Sequence, residues 1–254
     1  MHDVAFVICV CVLFAENLVG QLANQSRTYP EENWPLVGGN WAGTRYSTLD
    51  EITAETIDRL LAVRLNTLPA KLMRRESIDM WILVAREYNE DPVVMTMLPG
   101  DAHAARRRTI LVFSDEGDEG VKGYAVSRYA VGDYFQAIWN PEEQPDQWRA
   151  LSDLITEKNP STIGINVSSD FALADGLTHG EYEGLVDALT NEQESRLVSA
   201  EKLAIAWLET RTEEEMEIYP SIVEIAHDII AEGFSNAVIK GNTSSLATRP
   251  FILP

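Results

Sequence analysis

The chain has 254 residues, enough for one large domain or two modest ones with a sizeable core. Hydrophobic residues make up 45% and charged residues 24%, the composition of a folded globular protein rather than a disordered one. Twenty Lys+Arg against forty Asp+Glu give −20, which disfavours binding to nucleic-acid phosphates or to an anionic membrane surface.

The imbalance is uneven. Residues 1–127 carry 12 basic and 18 acidic groups, or −6, whereas residues 128–254 carry 8 and 22, or −14. Both cysteines, Cys9 and Cys11, stand in the first apolar run, so the rest of the chain has no thiol for a disulfide, a thiolate metal site or a nucleophile. The four histidines, His2, His103, His179 and His227, are too far apart in sequence to form a paired ligand motif.

Val4 to Ala15 (VAFVICVCVLFA) is twelve apolar residues, too short for a membrane span and of the length of a signal-peptide core. It predicts a secreted or periplasmic protein with a leader over 1–25; a cytoplasmic protein is the alternative if this segment is an artefact of the gene start. A polar tether with Pro30 follows. Trp34 to Asp50 (WPLVGGNWAGTRYSTLD) then forms a Gly-rich turn region bracketed by Trp34, Trp41 and Tyr46, ahead of a helical segment over Ile52–Leu61. This stretch resembles the opening of pyrroloquinoline-quinone-dependent dehydrogenases. The resemblance covers about residues 33–62 and no further blade motifs repeat, so the quinone cofactor is not expected. Residues 26–63 are accordingly set apart as a tether and a quinoprotein-like fragment.

From Arg64 strands alternate with helices. Leu65–Glu76 has helical character, Asp79–Ala85 (DMWILVA) is a continuous apolar strand of the kind covered on both faces, and Val93–Leu98 and Thr109–Phe113 repeat the strand signal. The Gly117–Gly120 turn predicts a hairpin returning over Val121–Tyr129. Pro145–Glu157 is an amphipathic helix with Trp148, Leu151, Leu154 and Ile155 on one face. Thr162–Asn166 reads as a strand, Glu181–Leu189 as a helix and Arg196–Ser199 as a last strand. The pattern predicts a compact α/β domain with a mixed sheet flanked by helices. Ser199 is placed to cap a helix over Ala200–Glu209, and Thr212–Glu215 is a capping box opening another. On that helix Met216, Tyr219, Val223, Ala226 and Ile230 recur at the spacing of a buried face, and Pro220 predicts a kink.

Several clusters invite chemistry. Asp115, Glu116, Asp118 and Glu119 lack the alternating ligand pattern of a calcium loop and read as a solvated hairpin tip. Arg106, Arg107 and Arg108 are of the type that clamps a carboxylate, but consecutive residues entering a strand point to alternate faces, which favours a surface or interface ion pair. Glu87, Glu90 and Asp91 follow the first strand, where α/β sites often sit, and carboxylates there are suited to acid–base work or metal binding. His103 reads as solvent-exposed, His179 as a turn residue and His227 as a boundary or core residue. No nucleophile elbow, phosphate-binding loop or dinucleotide fingerprint is present.

The words Arg64-Leu-Asn-Thr-Leu68, Met73-Arg-Arg-Glu-Ser-Ile-Asp-Met-Trp-Ile82, Arg86-Glu-Tyr-Asn-Glu-Asp-Pro92, Ala105-Arg-Arg-Arg-Thr-Ile-Leu-Val-Phe113, Pro145-Asp-Gln-Trp148, Ile163-Gly-Ile-Asn-Val-Ser168 and Ala174-Asp-Gly-Leu177 together resemble the N-terminal domain of the creatinase/aminopeptidase P group. These are the pita-bread metallopeptidases that include Xaa-Pro aminopeptidases and prolidases. The resemblance runs from about 64 to about 241. It implies a creatinase-type domain over 64–198 and, over 199–254, the truncated helical start of a pita-bread catalytic domain.

For the family it implies hydrolysis of the bond between an N-terminal residue and proline, with two divalent ions, usually manganese, cobalt or zinc, held by two Asp, a His and two Glu. The match ends after Thr243, and Ser244–Pro254 contains no Asp, Glu or His. No catalytic, cofactor or metal residue of the family therefore falls on a position of this chain, which is expected to hold no metal and to be inactive alone. The alternatives are a non-catalytic binding or oligomerisation module, meeting a second copy or a partner subunit through a helix face around Val223, Ala226 and Ile230, and an unrelated metal enzyme built on Glu87, Glu90 and Asp91.

Overall fold

The computed structural model describes residues 53–234. The export-like segment 4–15, most of the quinoprotein-like stretch and Lys240–Thr243 lie outside the described residues. The chain forms a mixed α/β domain: a six-stranded mixed sheet with helices on both faces.

Helix α1 (Ala54–Glu76) opens the domain, capped by Thr53, whose hydroxyl accepts from the Thr56 N–H at 3.1 Å. The two helical segments read from the sequence are one helix, running through Pro69. Leu61, Leu65, Leu68 and Leu72 recur at three- and four-residue spacing and are buried as a stripe against the sheet. Ser77, at φ 56, ends the helix in the left-handed conformation and turns the chain into β1 (Met80–Arg86).

β1 lies inside the sheet, antiparallel to β2 (Arg108–Asp115) and parallel to β5 (Ile163–Ile165). Its residues alternate faces. Trp81, Leu83 and Ala85 join the α1 side of the core, while Met80, Ile82 and Val84 join the other. Both faces are covered, which is why this strand reads as an unbroken apolar run. Each fully buried Leu, Ile or Val contributes about 1.5–3 kcal/mol.

β3 (Val121–Val126) returns antiparallel to β2 through a tight turn at Gly117–Glu119, as the hairpin signal predicts, though it ends three residues earlier than Tyr129. A two-residue strand, β4 (Gln136–Ala137), closes that edge. On the other edge β6 (Leu197–Ser199) pairs parallel with β5, giving the order β4-β3-β2-β1-β5-β6.

Val93–Leu98 is not a strand. Asp91 caps a short helix there, α2 (Pro92–Met95), and Pro92 at its first position favours that outcome. The buried Val93 and Val94 imitate a strand because a short apolar run does not distinguish a buried turn of helix from a buried strand.

Helix α3 (Gln147–Lys158) is capped by Asp146 and buries Leu151, Leu154 and Ile155 as its amphipathic pattern predicts. It packs beside α4 (His179–Ala188), where a Cβ on Gly184 would come within 2.6 Å of the Trp148 indole nitrogen, so only glycine permits the approach. A single turn, α5 (Asn191–Glu194), leads to β6. Then follow α6 (Glu201–Glu209) and α7 (Glu213–Gly233). Ser199 stands one residue outside the cap of α6: its hydroxyl donates to the Val167 carbonyl and accepts from the Glu201 N–H.

Arg64 ties these last helices to α1. Its guanidinium donates to the carbonyls of Trp207 at 2.6 Å and Thr210 at 2.7 Å, meets the Glu215 carboxylate at 2.8 Å and lies 4.5 Å over the Trp207 ring. The acceptors include carbonyls left open at the C-terminal end of α6. Glu215 also accepts from the Thr212 N–H, completing the capping box that starts α7. Past that first turn α7 is exposed. None of its residues is buried: Met216, Tyr219, Val223, Ala226 and Ile230 are all exposed, contrary to the buried face read from their spacing, and so are Ile225 and Ile229. His227 is likewise exposed rather than a boundary or core residue.

Arg64→Met removes the side-chain donor to the Trp207 carbonyl and the counter-charge of the half-buried Glu215 and is expected to lower stability by about 3 kcal/mol; Arg64→Lys, which keeps charge but loses the fork, by about 1–2 kcal/mol. Urea unfolding of the two variants checks this; a loss below about 0.5 kcal/mol for both would remove Arg64 from this role.

Candidate functional site

At the C-terminal end of β1 and the start of β2 the sheet opens into a groove of about 620 Å3. Five arginines line it: Arg86, Arg106, Arg107, Arg108 and Arg128. No Asp or Glu lines it among the described residues, in a chain with twice as many acids as bases. Its apolar lining includes the partly buried Pro99, Ala102 and Val131, and Trp139, whose indole N–H is held by the Gln144 carbonyl at 2.6 Å.

The arginines are not equivalent. Arg86 and Arg108 face each other across the β1–β2 ladder, a like-charge pairing that is unfavourable unless neutralised. Glu181 on α4 neutralises it. Its carboxylate, only 3% exposed, accepts from Arg108 Nε at 2.5 Å and from Arg86 Nη1 at 3.4 Å. The Arg108 guanidinium also sits 4.9 Å over the Trp148 ring. These two arginines are therefore committed to holding α4 against the sheet. Among the described residues Arg128 pairs with the exposed Glu142, at 3.5 Å.

Arg106 and Arg107 are exposed, and their guanidinium groups have no partner among the described residues. Arg107 has φ 52, a left-handed conformation that costs a non-glycine residue about 1–2 kcal/mol. Glu87 holds it there. The Glu87 N–H donates to the Arg107 carbonyl at 2.6 Å, and the Glu87 carboxylate accepts from the Arg107 N–H at 3.1 Å. Because the chain bends at Arg107 before entering β2, all three consecutive arginines reach one groove. The alternation read from the sequence applies only once the strand has begun, at Arg108.

The carboxylates singled out after the first strand are thus structural. Glu87 fixes the Arg107 turn, Glu90 accepts from the Tyr88 N–H at 3.1 Å, and Asp91 caps α2. Asp91 is fully buried: it accepts from the Val93 and Val94 N–H groups and from Asn166 Nδ2 at 2.8 Å, while Asn166 Oδ1 accepts from the Trp81 indole at 2.9 Å. Burial pushes the Asp91 carboxyl above its usual range, opposed by these hydrogen bonds. No three His, Cys, Asp or Glu side chains come together as metal ligands among the described residues.

The acidic hairpin is also paired. Asp115 takes two hydrogen bonds from Arg74, at 2.7 and 2.8 Å, which hold its carboxyl below the usual range. At Glu116 burial acts upward but is outweighed by the Tyr124 hydroxyl and the Lys158 ammonium, which lower it. Asp118 and Glu119 remain at the exposed tip, as expected of a hairpin. His103 is exposed as expected, whereas His179 opens α4 rather than a turn, 3.4 Å from Glu183.

No protein-family profile matches the chain, and no curated protein matches it. A solved structure similar to it is an Xaa-Pro dipeptidase from Bacillus anthracis, at 14% identity and a TM-score of 0.40, covering 71% of this chain and 43% of that one. The chain thus spans less than half the length of that protein. No helix among the described residues is long and apolar enough to cross a membrane.

Glu181→Gln leaves the facing Arg86 and Arg108 without a counter-charge. The guanidiniums keep partial access to water, so the expected loss of stability is about 1–3 kcal/mol by urea unfolding; an unchanged midpoint contradicts the clamp. At Asp115 the folded-state carboxyl is the stronger acid, so its contribution is complete above the ordinary value of 3.8 and is lost as pH falls through the lower folded one. The stability gap between the native chain and Asp115→Asn should therefore be present at pH 7 and close on acidification, measured by thermal unfolding between pH 7 and 2. A gap that does not narrow excludes the Arg74 pairing as its source.

Proposed function

We propose that residues 64–241 form the N-terminal domain, with the opening helices of the catalytic domain, of a metallopeptidase of the creatinase/aminopeptidase P type, and that this part binds and positions rather than cleaves. The observation that carries the reading is the agreement between the distinctive sequence words and the sheet. Met73–Ile82 carries the end of α1 into the central strand, Arg86–Pro92 is its capped exit, and Ala105–Phe113 leads into β2.

The parent activity on this reading is removal of an N-terminal residue from an Xaa-Pro peptide, with two divalent ions polarising the scissile carbonyl and supplying hydroxide. The described residues do not fit such a metal pair. The oxygens of Asp91 are taken up by two backbone amides and Asn166, and Glu87 and Glu90 are each tied to a backbone N–H. What the domain supplies instead is a basic groove, suited to shaping the approach to a catalytic centre, and the exposed apolar residues of α7, suited to contact with a partner subunit.

The test is elemental analysis of the full chain after manganese supplementation, with an Xaa-Pro dipeptide hydrolysis assay on the same sample. The expected result is no stoichiometric metal and no proline release above the blank. Bound metal together with turnover would contradict the binding role.

A further inference from the structure

The arginine-lined groove has features that the peptidase reading does not use, and an inference from it stands independently of that reading. We propose that the groove is a binding site for a small organic oxyanion, a carboxylate or phosphate monoester joined to an apolar or aromatic body. Three observations carry this.

The first is charge selection. A chain of net charge −20 places five of its twenty basic residues around one concavity and no carboxylate in its lining, so this groove opposes the anionic surface around it. Two of the five, Arg86 and Arg108, are spent on Glu181, and Arg128 meets Glu142 at the rim. The uncommitted positive charge is that of Arg106 and Arg107.

The second is how Arg107 is held. A left-handed arginine is sustained against its intrinsic preference by two reciprocal hydrogen bonds to Glu87, and strain of this kind concentrates where a side chain must be aimed. Guanidinium forks match carboxylate and phosphate oxygens in paired hydrogen bonds, so two adjacent free arginines select an oxyanion over a halide.

The third is shape and lining. A volume of about 620 Å3 is that of a drug-sized ligand site rather than of a bare ion. The partly buried Pro99, Ala102, Val131 and Trp139, its indole N–H fixed, offer apolar surface beside the charges, where an aromatic or aliphatic body packs while its anionic end meets the arginines.

Isothermal titration of the full chain with benzoate, phenyl phosphate, inorganic phosphate and uncharged benzamide tests this, with tryptophan fluorescence as a second readout. Benzoate or phenyl phosphate should bind one-to-one with a Kd on the order of 1 mM, the scale of a few charge-assisted contacts. Benzamide should not bind, and inorganic phosphate should bind at least tenfold more weakly than phenyl phosphate. Which of the two aryl anions is preferred identifies the head group.

The double variant Arg106→Gln with Arg107→Gly keeps the left-handed turn and should weaken binding at least tenfold. Arg149→Gln, a surface arginine of α3 outside the groove, should leave it unchanged. The proposal is overturned if neither aryl anion binds, if inorganic phosphate binds as tightly as phenyl phosphate, or if the groove and α3 variants weaken binding equally. Failure of the dipeptide assay to show inactivity would leave this result untouched, since no measurement here depends on peptide cleavage.

Discussion

The contact on which the site depends is the carboxylate of Glu181. Antiparallel pairing of β1 and β2 sets Arg86 opposite Arg108 at the mouth of the sheet, where two guanidiniums repel. A single buried acid on α4 accepts from both and turns a repulsive pair into a clamp that joins helix to sheet. The arrangement also divides labour among the arginines. Those at the strand ends serve the fold through Glu181, while those in the preceding loop stay free, since Glu87 engages only the backbone of Arg107.

The same economy appears on the opposite side of the sheet. Arg64 collects the open carbonyls at the end of α6 and the capping carboxylate of α7, so the chain's exit is fixed by one side chain of its entry helix. Between these two anchors the Trp81–Asn166–Asp91 chain crosses from β1 to the cap of α2 with its hydrogen bonds satisfied inside the core. Charged and polar groups thus decide where helices end and how they attach. The alternating apolar residues of β1 and β2 supply most of the cohesion.

Much of the fold was legible from periodicity. The double-faced apolar run of β1, the Gly117 hairpin, the stripe of α3 and the Thr212 capping box are local patterns with local causes, and the architecture follows them. The Val93 segment was misread because it is buried and apolar without being extended, and the cap by Asp91 with Pro92 was the outweighed signal. The spacing on α7 identified an apolar side but held no information on whether anything covers it. The site was legible only in part. Three consecutive arginines were visible, but their convergence needs the left-handed turn at Arg107 and an ion pair to Glu181, 73 residues beyond Arg108, and neither leaves a trace in local spacing. Of the carboxylates after the first strand, Glu87 braces that turn, Asp91 caps α2 and Glu90 accepts from the Tyr88 N–H.

The central claim is that the free arginines of this groove hold an organic oxyanion against its apolar wall. The most direct measurement is a crystal structure of the full chain soaked with 4-bromobenzoate, located by the anomalous signal of bromine. The account predicts a bromine peak beside Trp139 and Val131, with carboxylate density facing Arg106 and Arg107. Bromine sites confined to other surfaces, with the groove left to solvent at saturating ligand, would contradict it.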